Sequence, residues 1–166
     1  MVATREERII IPGVLESVLR YCLKDASERM EKGEQVLPFS ALAVKDKLFM
    51  EEHPGETADE SFAAARKTVA GSPDAKAYAF CYDGFIEAES AVGNKLVQRD
   101  CIIAEGGMPG TEYGHAIGLI YKTDKEGNVT FNSEPIYVSK SLNYMLHAVT
   151  LDDDEEEEAE AEEDEA

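Results

Sequence analysis

Three apolar segments separated by glycine-bearing stretches, between Ala75 and Tyr121, constrain the fold of this chain more than any other feature. Lys76 to Tyr82 reads KAYAFCY and runs into Asp83-Gly84, a dipeptide suited to a tight hairpin turn. Leu96 to Glu105 reads LVQRDCIIAE, and His115 to Tyr121 reads HAIGLIY. The connection Gly106 to Gly114 carries too much glycine and proline to continue either segment. Along KAYAFCY, Tyr78, Phe80 and Tyr82 share one face, and Ala77, Ala79 and Cys81 the other. HAIGLIY divides the same way, His115, Ile117, Leu119 and Tyr121 against Ala116, Gly118 and Ile120. Neither face is polar, so the segments read as the centre of an antiparallel sheet covered on both sides. Two amphipathic helices can cover one face, leaving the other to a last helix, a long loop or a second copy of the chain.

The helices are legible on either side of a stretch that fits two readings. After Pro12, the residues Leu15, Val18, Leu19, Cys22, Ala26 and Met30 form one stripe at helical spacing, and Gly33 stops it. The spacing predicts a helix over residues 13–32. Thr57-Ala-Asp-Glu60 has the form of a capping box and opens a second helix bearing Phe62, Ala65 and Val69, closed by Gly71-Ser-Pro73. Between them, residues 39–52 fit either a hairpin around Lys45-Asp46 or a helix capped by Ser40. The hairpin is the expectation. Downstream, Lys125 to Asn128 reads as a turn, with strands at Val129–Phe131 and Pro135–Val138. Ser139 or Ser141 is placed to cap a short last helix carrying Leu142, Met145, Leu146 and Val149.

Charge then narrows the partners. The chain of 166 residues has a net charge of −19, and residues 151–166 hold 12 acids and no base. Such a block of like charges is expected to be a disordered tail after a single domain over residues 1–150. An acidic chain repels phosphate backbones, which argues against nucleic acid. A basic protein partner, met by fast and salt-sensitive association, is the complement of the tail. Three cysteines without a CxxC pair fit a reducing cytoplasm better than a disulfide framework. No apolar run is long enough to span a membrane or to serve as a signal-peptide core.

Candidate chemistry is sparse. The glycines at 106, 107 and 110 suggest a phosphate-cradling loop, but no lysine follows and the next segment reads as a strand. Cys101, Glu105 and His115 offer a thiol, an acid and a base on neighbouring strands. Four residues of strand, about 13 Å, separate the thiol from the loop end, so Cys101 reads as core. If the hairpin pairs symmetrically, Glu105 and His115 meet at the loop end as a hydrogen-bonded pair. His53, with Glu51, Glu52 and His147, lacks metal-ligand spacing. No catalytic residue, metal or cofactor is expected. The candidate ligand-binding residues are Glu105, Tyr113 and His115.

The segments YAFCYDGF and RDCIIAEGG, followed by AIGLIY, resemble a pattern in small uncharacterised bacterial α+β proteins. The resemblance covers about a third of the chain and implies no activity, cofactor or site. The expectation is an α+β fold: two amphipathic helices packed on a mostly antiparallel sheet of five to seven strands, with a short C-terminal helix. The expected role is a cytoplasmic, non-enzymatic protein-interaction module, with a homodimer as one form. The alternative is a small-molecule binder or small enzyme using the 106–114 loop.

Overall fold

The computed structural model describes residues 10–146, except residues 73, 90–92 and 94. The acidic stretch 151–166, His147 and the end of the expected last helix lie outside the described residues. The elements run in the order α1 (Gly13–Glu31), β1 (Phe39–Val44), β2 (Lys47–Glu52), α2 (Ala58–Ala70), β3 (Ala77–Glu89), β4 (Leu96–Gly107), β5 (Gly114–Thr123), β6 (Val129–Phe131) and β7 (Ile136–Ser141). The fold is α+β. All strand pairs are antiparallel, in the order β2-β1-β3-β4-β5, and both β6 and β7 pair with the outer edge of β5.

Helix α1 forms as its periodicity demands. Leu15, Val18, Leu19, Cys22, Leu23 and Ala26 are buried on one stripe. Gly33 adopts φ +83, which lets the Gly33 and Glu34 amides bond back to Met30 and Arg29. Pro12 stands at the N-cap position, one residue before the first helical turn. In α2 the Thr57 hydroxyl accepts from the Glu60 amide at 3.2 Å. The Glu60 carboxylate reaches back to the amide of Glu56 at 2.8 Å, one residue upstream of the usual capping-box donor.

The helices contact opposite faces of the sheet. The stripe of α1 shares a core with Phe39, Ala41, Ala77, Ala79, Cys81, Ile102, Ala104, Ile117, Leu119 and Tyr121. Alanines at four of those strand positions let the helix approach closely. On the other face, Phe62 of α2 meets Phe80 and Tyr82 edge-on at centroid distances of 4.9 and 5.2 Å. Val69 of α2 joins Leu42, Ala75, Tyr78 and Met145. No residue of either helix belongs to the remaining cluster on that face, Cys101, Ile103 and Ala116, bordered by Tyr82, Ile86, Ile120 and Val138.

Residues 39–52 form the expected hairpin, with Lys45 at φ 56 in its turn. Asp83-Gly84 does not turn the chain. Strand β3 continues through it, pairing Asp83 with Ile102 and Gly84 with Cys101 out to Glu89 opposite Leu96. A two-residue turn of that kind needs positive φ, and neither residue adopts it. Extended backbone at 83 instead lets Asp83 accept a 2.6 Å hydrogen bond from the Tyr121 hydroxyl. Because β1 leaves β3 at Cys81 and β5 leaves β4 at Cys101, residues 85–89 and 96–100 project as a two-stranded arm about 16 Å long. Ser139 and Ser141, the candidate caps, lie in β7, and Tyr144 to Leu146 form a turn.

Candidate functional site

The β4–β5 register decides what the loop-end residues can do. Glu105 pairs with Ala116, and His115 pairs with Gly106. Each pair shares a face, so Glu105 and His115 point to opposite faces of the sheet. The expected Glu105–His115 hydrogen bond therefore does not form. A symmetric hairpin differs from this one by a single residue of register, and one residue is enough to invert a side chain.

On the α1 side, the His115 Nδ1 and the Tyr137 hydroxyl are 2.8 Å apart. Tyr113 stands edge-on to the His115 ring at 5.4 Å, and the Lys140 ammonium lies over the Tyr113 ring at 4.2 Å. Burial, and secondarily the Lys140 charge, push the His115 pKa down. The imidazole is thus held neutral by its surroundings, with its Nδ1 occupied by a phenol.

On the α2 side, half-buried Glu105 accepts from the Tyr82 hydroxyl at 3.3 Å. Burial raises its pKa, and the Tyr82 bond offsets part of that rise. Tyr144 stacks on Tyr78 at 5.3 Å, and the Arg66 guanidinium lies 5.0 Å over the Tyr144 ring. Glu105 is an acid whose ionised form is disfavoured, beside phenols that burial also makes harder to ionise. Its folded-state pKa lies above the unfolded one, so the ionised carboxylate costs stability at pH values above 4.5. Glu105→Gln keeps an acceptor for Tyr82 and removes that cost. The variant is expected to melt higher than the parent at pH 7, with the difference shrinking as pH falls toward 4.5 and gone below it; an unchanged or lower melting temperature at pH 7 contradicts the reading.

The 106–114 connection is shorter than its glycine content suggests, because Gly106 and Gly107 belong to β4. Its interior is filled from within the chain. The Asn143 amide nitrogen donates to the Met108 and Thr111 carbonyls at 2.8 and 2.7 Å and to the Thr111 hydroxyl at 2.8 Å. The Asn143 carbonyl oxygen accepts from the Met145 amide at 2.9 Å, and the Gly110 amide bonds the Met145 carbonyl at 2.9 Å. The glycines serve close packing: a Cβ on Gly107 would collide with the Asn143 side chain, and one on Gly114 with the Gly106 carbonyl.

One constellation is invisible without the β1–β2 register. Ser40 pairs with Glu51. The Ser40 hydroxyl is 2.8 Å from Nε2 of His53, whose Nδ1 is 3.5 Å from the Glu51 carboxylate, and Glu51 also accepts from Thr68 at 3.0 Å. Hydroxyl, imidazole and carboxylate thus follow one another in the order of a nucleophilic triad. The hydroxyl end is closed, with Ser40 1% and His53 4% exposed, while the carboxylate end faces solvent. A nucleophile must reach its substrate, so this arrangement works as a buried tie between the hairpin and the segment leading to α2. Burial lowers the His53 pKa, and Glu51 acts in the opposite sense.

The cysteines are equally enclosed. Burial pushes the Cys22 thiol up to about 12 and Cys101 up to about 11, and raises Cys81 well above its ordinary value. Thiols so hard to ionise are poor nucleophiles. Among the described residues, no three His, Cys, Asp or Glu side chains converge on a common point, and no helix is long and apolar enough to cross a membrane. Comparison with protein-family models, with curated proteins and with solved structures finds no match to this chain.

Proposed function

We propose that this chain is a non-enzymatic protein-interaction module of the cytoplasm, with the β3–β4 arm as its contact surface. The observation that carries this reading is the arm itself. It exposes Phe85 (57%), Leu96 (64%) and Val97 beyond the last flanking strand. Alternation along the register places Phe85 and Leu96 on the α1 side of the arm and Val97 with Ile86 on the other, where Ile86 borders the buried Cys101–Ile103–Ala116 cluster. An apolar patch of that kind, outside the core, suits association better than chemistry. Asp83, Glu87 and Asp100 share the face of Phe85 and Leu96, and the acids of residues 151–166 add attraction at longer range. The fitting partner is a protein with an apolar patch bordered by lysine or arginine.

The test is a pull-down from native lysate with the immobilised full chain, followed by the same experiment with Leu96→Glu/Val97→Glu. These side chains are exposed, so the variant should melt like the parent. Retention of a basic protein by the parent, reduced about tenfold or more in the variant, supports the proposal. Equal retention by both overturns it.

A second reading places a small cationic ligand between Glu105, Tyr82 and Tyr144. The disfavoured carboxylate of Glu105 beside exposed parts of two phenol rings favours it. Titration of the full chain with small alkylammonium ions should then perturb the Tyr82 and Tyr144 ring resonances; unshifted resonances at saturating cation reject it.

A further inference from the structure

The open edge of the sheet carries its own complement. Among the described residues, strand β2 pairs only with β1; it has no proline and no bulge, and presents Phe49 at 52% exposure. The phase of its hydrogen bonds follows from the His53 amide, which bonds the Pro38 carbonyl at 2.7 Å. In an antiparallel ladder, bonded and non-bonded pairs alternate. Glu51, Phe49 and Lys47 therefore exchange their backbone bonds with Ser40, Leu42 and Val44. Leu48, Met50 and Glu52 turn their N–H and C=O groups outward. The Ala43 carbonyl, which bonds the Lys76 amide on the β3 side at 2.7 Å, agrees with this phase.

An unpaired edge is a template for another strand. Two copies meeting antiparallel must place outward-facing residues opposite outward-facing residues. Among the registers that do so, the one centred on Phe49 matches the sequence KLFMEE best. It sets Phe49 against Phe49 of the partner subunit at a non-bonded pair, where side chains lie closest. Lys47 falls opposite Glu51 of the partner subunit, twice by symmetry. Leu48 falls opposite Met50 of the partner subunit, also twice, with full backbone bonding. Moving the centre to Met50 puts Phe49 against a carboxylate and Lys47 against His53. Moving it to Leu48 puts Lys47 against Phe49. Only the Phe49-centred register pairs charge with charge and apolar with apolar.

Side-chain space fits the same register. Leu48 and Met50 point to the α1 face, where they border the core. Beside them lies a groove of about 280 Å³ lined by Ser17, Val18, Tyr21, Ala43 and Leu48. A methionine entering opposite Leu48 reaches its mouth. The acids that face each other at the ends, Glu52 and Asp46, are moderated by Arg29, 3.6 Å from Glu52. Glu51 keeps one carboxylate oxygen free, because His53 and Thr68 share the other.

We propose that the chain forms a two-fold dimer by antiparallel pairing of β2 with β2 of a second copy, centred on Phe49, joining two sheets into one. The pairing surface is separate from the β3–β4 arm, so the two proposals stand or fall independently.

Sedimentation equilibrium of the full chain over a wide concentration range tests it. The parent is expected to sediment as a dimer. Lys47→Glu sets two carboxylates opposite each other on each side of Phe49 and should raise the dissociation constant about tenfold or more. Lys47→Arg keeps the charge pair without touching the Glu51 tie to His53 and Thr68, and should dimerise as the parent does. Met50→Pro removes an outward N–H that the monomer does not use and should give a monomer; it also removes a half-buried side chain, so its oligomeric state is read below its own, lower melting transition. A monomeric parent at all concentrations overturns the proposal. So does a Lys47→Glu or Met50→Pro variant that dimerises as well as the parent.

Discussion

Gly106→Ala is expected to destabilise the fold by about 3 kcal/mol or more, or to prevent folding. Gly106 lies opposite Ala79 on β3 and His115 on β5, with a paired strand on either side. A Cβ there collides with the carbonyl oxygen of Tyr78 and stands 3.0 Å from the Ala79 Cα. These are backbone atoms of a central strand, which cannot rotate away as a side-chain tip would. The strand would have to shift as a whole, breaking the ladder that sets the faces of Tyr78, Phe80 and Tyr82. Urea unfolding measures the cost. Gly13→Ala is the control, with nothing within 4 Å of its added methyl at the start of α1, and should change stability by no more than about 1 kcal/mol. Equal, small effects at both positions would mean that β3 and β4 do not approach as described.

Asn143→Ala is the second large effect, expected at about 3 kcal/mol. The side chain is 9% exposed and satisfies the Met108 and Thr111 carbonyls, the Thr111 hydroxyl and the Met145 amide at once. Removing it leaves several of these groups without a partner in a site too enclosed for easy hydration, at about 1–3 kcal/mol for each one left unmade. The loss should show as faster amide exchange at Gly110 and Met145, whose backbone bond the side chain supports. Unchanged exchange at both, with unchanged unfolding midpoint, would contradict this account of the loop.

Where one element carried its own periodicity, the sequence was readable. The stripe from Leu15 to Ala26 and the hydroxyl and acid at Thr57 and Glu60 specify their helices locally. The hairpin at residues 39–52 was ambiguous because β1 is paired on both sides and covered on both faces, so its residues lose the polar alternation that marks a strand. Asp83-Gly84 misled because turn propensity is local. The twelve-residue pairing of β3 with β4 and the Asp83–Tyr121 bond are not. The candidate site failed on register. Glu105 and His115 are ten residues apart around a loop, and one residue in the pairing sends them to opposite faces. Tyr82 and Tyr137, their actual partners, lie 23 and 22 residues away on other strands. Ser40, Glu51 and His53 carried a usable signal, since a turn at Lys45-Asp46 by itself sets Ser40 opposite Glu51 and two residues from His53.

The buried thiols, the enclosed Ser40 and the self-filled loop around Asn143 all place reactive groups out of reach, while apolar side chains stand exposed on the arm. Contact rather than chemistry is therefore the role proposed for the chain. Its most direct test is amide hydrogen exchange of the full chain, alone and with the protein it retains from lysate. New protection over residues 82–89 and 96–103 is the predicted result. Protection confined to residues 106–114, with exchange over the arm unaltered, would contradict the account and move the working surface to the loop.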